Sequence, residues 1–335
     1  MMLMMMVTRS LQLFVSLVCS LTIITIECAK VTQSPNIYNV TKTIVHSAVS
    51  KGAVCLDGSP PAYYFVPGFG EGVGNWIVQL SGGAWCKNVT DCQDRSNTDK
   101  GSSKHMGPIP FQGIHSKNQT ANPDFYNWNK VIIAYCDGGS FTGDVEYVDP
   151  ATNLHFRGAR IFTTVMDELL AKGLKNAKNE SAKTLPKSCT SKMKPELCLF
   201  AENIQQDIKT PIFILMSAFD NVETQYTLEG SNIYECIDHG TCTTSQNNTL
   251  KEMRSDFLNA LPKGTNPKHR GVFIDVVHHH TSIIRRWTPE IAIVVHNVSA
   301  PKAFADWYFD RNYTYLIDER DLPLPNLIPN VTYSS

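Results

Sequence analysis

Trp76-Ile77-Val78-Gln79-Leu80-Ser81-Gly82-Gly83-Ala84-Trp85-Cys86 is a short apolar run that stops in a serine–glycine turn. A continuous apolar stretch bounded by turn residues reads as a strand buried on both faces, with a loop at its C-terminal end. Working outward, the same grammar recurs at Lys130–Tyr135, which runs into Cys136-Asp137-Gly138-Gly139, at Pro211–Met216, and at Gly271–Val277. Between the second and third of these, Phe156–Leu174 carries Ile161, Val165 and Leu169 at helical spacing, with Gly173 as a stop. Buried strands alternating with helices predict an α/β fold, a mostly parallel sheet covered by helices on both faces. No repeat, low-complexity tract or Pro/Gly linker divides the chain, so one domain is expected over 29–335.

Composition narrows the function classes little. The chain has 335 residues, 42% hydrophobic and 18% charged, with a net charge of −1. That balance gives no electrostatic footprint for nucleic acid. Arg9, the apolar run Leu11–Ile26 and the polar exit at Glu27–Lys30 read as a signal peptide over 1–28. The apolar run is shorter than the ~20 residues a membrane span needs, so no stable span is expected. Secretion is also favoured by eight N-x-S/T sequons, at Asn39, Asn88, Asn118, Asn179, Asn247, Asn297, Asn312 and Asn330. Beyond Cys19 and Cys28 lie eight cysteines, an even number that an oxidising compartment would pair. Eight cysteines allow 105 pairings. Spacing favours Cys86–Cys92, Cys189–Cys198 and Cys236–Cys242, which leaves Cys55 with Cys136.

Three features point to ester chemistry. Gly82-Gly83-Ala84, directly after a buried strand, leaves backbone N–H groups free where an α/β-hydrolase places an oxyanion donor; a plain tight turn is the other reading. Asp220, four residues beyond Met216, stands where such a fold carries its triad acid, although an acid there also serves as a helix N-cap. His278-His279-His280 closes the last strand, and one of them fits the base that follows the acid in chain order. Successive strand side chains point to opposite faces, so the three cannot converge on one metal ion. No metal or other cofactor is expected.

The nucleophile is the missing part. No G-x-S-x-G occurs, and Gly138-Gly139-Ser140-Phe141-Thr142-Gly143 has one residue too many. After the long helix the fold needs a further apolar strand, but the chain offers the polar stretch Asn176–Pro186. The strands at Val131 and Ile212 would then flank a gap.

The blocks WIVQLSGGAWC (76–86), NPDFYNWNKVIIAYCDGGSFTG (122–143), FRGARIFTTVMDELLAKG (156–173), LPKSCTSKMKPELC (185–198) and DWYFDR (306–311) resemble plant pectin acetylesterases, from about Val40 to Arg311. The same family contains the animal carboxylesterase that removes palmitoleate from Wnt. The resemblance implies an α/β-hydrolase fold and removal of acetyl groups from galacturonate units of cell-wall pectin by a Ser–Asp–His mechanism, outside the cell. It implies Asp220 as the acid, His280 as the base, and Gly83 and Ala84 as the oxyanion loop. It also implies departures: Ala84 where glycine is usual, Val277 and Thr281 where cysteines flank the base, and a nucleophile segment lost near 178–181. On this reading the chain is a carboxylic ester hydrolase by descent that cannot form an acyl-enzyme. Two alternatives are a non-catalytic pectin-binding protein, with Trp85 and Trp128 as sugar platforms, and a transcript that has lost an exon.

Overall fold

Strand β6 (Arg270–Asp275) shows how the layers form. Its alternate residues Val272 and Ile274, with Val276 beyond them, pack beside Leu250 and Met253 of the long helix α4 (Thr244–Ala260). Phe273 faces the other way, against Ala300 and Ala303 of α5 (Ala300–Tyr308). A strand apolar on both pleat faces needs a helix on each side, and here it has both. The computed structural model describes residues 38–174, 187–192, 208, 210–228, 233–262, 270–280 and 282–326.

β6 is the centre of a three-stranded parallel sheet between β5 (Ile212–Ser217) and β7 (Tyr315–Ile317). A second sheet holds β1 (Lys42–Ile44), β2 (Ala62–Val66), β3 (Trp76–Leu80) and β4 (Asn129–Ile133) in the order β1-β2-β4-β3. Here β1 and β2, and β2 and β4, run antiparallel, whereas β3 lies parallel to β4 with Val78 opposite Val131. The fold is α/β, with its parallel ladders in the two halves that carry the candidate site. Helix α2 (Gly158–Ala171) buries Ile161, Val165 and Leu169. It is tied to β2 by the Tyr63 hydroxyl, which donates to Glu168 Oε1 at 2.7 Å. Gly173, just past its C-cap, has φ +121°, a backbone region that favours glycine.

Among the described residues the two sheets end in four edge strands, β1, β3, β5 and β7, of which β3 and β5 bear on the missing segment. Among the described residues β3 pairs only with β4, and β5 only with β6. Leu80 at the end of β3 is 45% exposed and Met216 near the end of β5 is 40% exposed. Ile77 of β3 and Leu215 of β5 nevertheless pack on one cluster, Phe125, Trp128, Trp287 and Ala305, so the two edges share a core. The sequence reading placed the gap beside the strand at Val131. That strand is internal, with β2 on one side and β3 on the other, and the open edge belongs to Trp76–Leu80. The reason is a chain reversal invisible to hydropathy: the later strand inserts inside the earlier one.

Disulfides join Cys55 to Cys136, Cys86 to Cys92 and Cys236 to Cys242. Cys189 is also disulfide-bonded, and Cys198 lies outside the described residues. Of the sequon asparagines, Asn39, Asn88, Asn297 and Asn312 are exposed, and Asn118 and Asn247 are half-buried. Asn179, Asn330 and the 1–28 leader lie outside the described residues, as does the linker over 178–181.

Candidate active site

The parallel strands β5 and β6 deliver an acid and a base from their C-terminal ends. Past β5 the chain turns at Ala218-Phe219, and Asp220 becomes the N-cap of α3 (Asn221–Thr227). Its Oδ1 accepts the N–H groups of Val222 at 2.9 Å and Glu223 at 3.3 Å. Its Oδ2 faces the other way and lies 2.7 Å from His280 Nδ1. One carboxylate therefore fills both roles open to an acid after a strand: Oδ1 caps the helix and Oδ2 orients an imidazole. Asp220 is largely covered, its side chain 13% exposed, while that of His280 is 54% exposed. With Nδ1 committed to the carboxylate, Nε2 is the ring atom left for chemistry. Among the described residues it has no hydrogen-bond partner.

The three histidines part company. His278 turns in toward Thr224 Oγ1, 2.9 Å from its Nε2, and burial holds its pKa below the ordinary histidine value. His279 folds back on Asp275, with Nε2 at 3.2 and 3.1 Å from the two carboxylate oxygens. Only His280 is presented outward. Among the described residues no group of three or more His, Cys, Asp or Glu side chains is placed to hold a metal ion.

The loop after β3 is built around Arg95, from helix α1 (Val89–Ser96). Arg95 donates to three successive carbonyls, those of Gly83 at 2.6 Å, Ala84 at 3.0 Å and Trp85 at 3.2 Å. In a trans peptide the N–H points opposite to the preceding carbonyl. Turning the Gly83 and Ala84 carbonyls toward Arg95 therefore aims the N–H groups of Ala84 and Trp85 away from it. Neither donates to any described residue, whereas the next amide, of Cys86, donates to the Gly138 carbonyl at 2.9 Å. Free, co-directed N–H groups at a strand end can stabilise an oxyanion. The sequence singles out Gly83 and Ala84; the co-directed amides are those of Ala84 and Trp85, and Arg95 and Tyr135, which hold the loop, carry no local motif that would mark them.

Tyr135 completes the loop. Its hydroxyl donates to the Ala84 carbonyl and lies 3.4 Å from the Ser140 N–H, which donates to it. Its ring covers Gly83 so closely that an added Cβ would lie 2.2 Å from Cδ1. Ala84 has φ +54°, where a side chain is disfavoured. Opposite effects follow for neighbouring residues. Gly83→Ala should destabilise by about 1–3 kcal/mol through overpacking. Ala84→Gly should stabilise by up to about 1 kcal/mol, as relief of left-handed strain outweighs glycine's extra chain entropy. Denaturant unfolding of the two variants checks both signs.

Ser140 is exposed with φ +50°, on a turn held by buried Asp137, which accepts from the N–H groups of Gly139 and Phe141. Trp128 is 7% exposed within the core cluster, which rules it out as a sugar platform, whereas Trp85 is 52% exposed. No hydrogen bond or ion pair links the Gly83–Trp85 loop directly to Asp220 or His280 among the described residues. No described helix is long and apolar enough to cross a membrane.

A strand-end acid paired with a later histidine, and a donor loop on an earlier strand, is a hydrolase layout that comparison with known proteins places more narrowly. The structure of the Wnt deacylase Notum from Drosophila superposes with a TM-score of 0.69 at 19% identity, covering 85% of this chain and 98% of that one. At that identity the likeness speaks for the α/β-hydrolase fold alone. Pectin acetylesterase 7 of Arabidopsis thaliana is 37% identical over 348 aligned positions, spanning 82% of this chain and 89% of the relative. Pectin acetylesterase 11 of the same plant is 36% identical with the same coverage. Since 82% of 335 residues is about 275, about 73 of the 348 aligned positions stand opposite no residue of this chain. The pectinacetylesterase family model matches in two stretches, 33–180 and 179–327, which meet at the polar linker after the long helix. With nearly the whole chain matched by the family model and a relative 37% identical over most of its length, this protein belongs to the pectinacetylesterase family, a family of carboxylic ester hydrolases.

Proposed function

We propose that the chain is a secreted, pectin-directed esterase homologue that retains the acid and base of an acyl-transfer site but lacks the segment bearing its nucleophile. The observation that carries this reading is the 2.7 Å Asp220–His280 pair with Nε2 unpartnered. An imidazole so oriented is set to take a proton from a hydroxyl and return it to a leaving alkoxide. The free amides of Ala84 and Trp85 supply what a developing oxyanion needs. The hydroxyl itself has no place in the chain, which contains no G-x-S-x-G. Three observations support loss in one piece: the unpaired edges of β3 and β5, the meeting of the two family matches at 179–180, and the surplus aligned positions of the relatives.

The names of the relatives point to acetylated pectin as the polymer this chain meets. The disulfides and exposed sequons support passage through an oxidising compartment to the cell wall. The second reading, a pectin-binding protein, is favoured by Trp85, whose side chain is exposed within the donor loop and could meet a sugar. The test is acetate release from acetylated pectin by the purified chain beside its His280→Ala variant. Equal rates are expected, since without a nucleophile the base has nothing to activate but water. A clear excess for the native chain would overturn the proposal and direct attention to Ser140.

A further inference from the structure

Between the end of β6 and the outward imidazole lie only Val276–His279, and this short loop is pinned at each step. The Val277 N–H donates to Asp275 Oδ1 at 2.8 Å and its carbonyl accepts from Ser217 Oγ at 2.6 Å. The His278 N–H donates to the Leu324 carbonyl at 2.8 Å. His279 makes the last two ties before His280. Its ring closes back on Asp275, and its carbonyl accepts the Asn221 N–H at 3.3 Å. Asn221 is the residue after Asp220. His279 thus grips the base's own strand through its side chain and the acid's turn through its backbone.

We propose that His279, through its buried pairing with Asp275, is the positioning residue that sets how His280 meets Asp220. This inference rests on the reading of Asp220–His280 as the acid–base pair. The His279 and Asp275 side chains are 6% and 1% exposed, so the pair is held away from solvent. His279 Nδ1 is buried without a hydrogen-bond partner. A buried unsatisfied polar atom is destabilising, so an apolar side chain would serve packing better. What the imidazole adds is direction: its Nε2 meets both carboxylate oxygens, fixing ring and backbone at the residue before His280. Asp275 is held in turn, since its Oδ1 also takes the Val277 N–H. Buried pairs of this kind set geometry more than stability.

The test uses the full chain labelled with ¹⁵N at histidine. The proton on His280 Nδ1 shared with Asp220 gives a downfield resonance, assigned by its loss in Asp220→Asn. His279→Leu keeps volume and removes the tether; His279→Gln keeps an amide N–H that can reach Asp275. The resonance is expected in the native chain and in His279→Gln, and to be lost in His279→Leu while thermal unfolding remains cooperative. Its persistence in His279→Leu, or its loss in both variants, would overturn the inference. Should His279→Leu fail to fold, Asp275→Asn replaces it, keeping an oxygen for the Val277 N–H but removing the charge; an unchanged resonance there overturns the inference equally. Absence of the resonance from the native chain would instead sink the acid–base pair itself, so the two failures are distinguishable.

Discussion

Inserting the strand, elbow and helix of a full-length pectin acetylesterase between Lys178 and Ser181 is expected to raise acetate release by at least about 10⁴-fold, since loss of a catalytic serine costs on the order of 10⁶ in a serine hydrolase. The magnitude follows from what is already in place. His280 is oriented by Asp220 at 2.7 Å, and the loop amides of Ala84 and Trp85 are aligned by Arg95. Members of a triad act as a unit, so restoring the last one recovers nearly the whole effect. The same insertion combined with His280→Ala should show almost none of the gain. A folded chimera with no gain would mean that the acid–base pair is not in working geometry.

The second large effect is on stability. The native chain is expected to melt at least about 10 °C below a full-length relative, and the chimera should recover most of that difference. A strand bonded on both sides would contribute two ladders, and burying it would also cover Leu80 and Met216, now exposed on the edge strands β3 and β5. Burial of several apolar side chains is worth several kcal/mol, against a domain margin of about 5–15 kcal/mol. For a domain of ~150–250 residues each kcal/mol moves the midpoint by roughly 2–4 °C. Differential scanning calorimetry of the three proteins measures this. Low secretion yield and early proteolysis between Lys178 and Lys187 should accompany the low midpoint. A midpoint equal to the relative's would show that the sheet halves have adapted, and would favour the binding-protein reading.

Much of this architecture was legible in the sequence because buried parallel strands leave apolar runs. The runs at Trp76, Val131, Ile212 and Val272 are all strands in the structure. The strand Ala62–Val66 went unread, although Ala-Tyr-Tyr-Phe-Val between proline-bearing turns has strand composition. Strand order was illegible, since nothing at Trp76–Leu80 records that β4 will slot inside it. The site divides the same way. Asp220 and His280 are readable because chain order and strand ends constrain them. The contacts that hold the loop and the turn, Arg95 on three carbonyls, Tyr135 over Gly83 and His279 on Asp275, are contacts of side chain with backbone or with a strand's last residue. Those depend on how loops close, which no periodicity encodes.

The central claim, an acid–base pair without its nucleophile, is tested most directly by a fluorophosphonate probe followed by peptide mass spectrometry. Applied side by side, the probe should leave the native chain unmodified and should label the chimera on the serine of the inserted elbow, in a manner abolished by His280→Ala. A phosphonylated serine in the native chain, at Ser140 or elsewhere, would contradict the account, because it would reveal an activated nucleophile within the residues this protein already has.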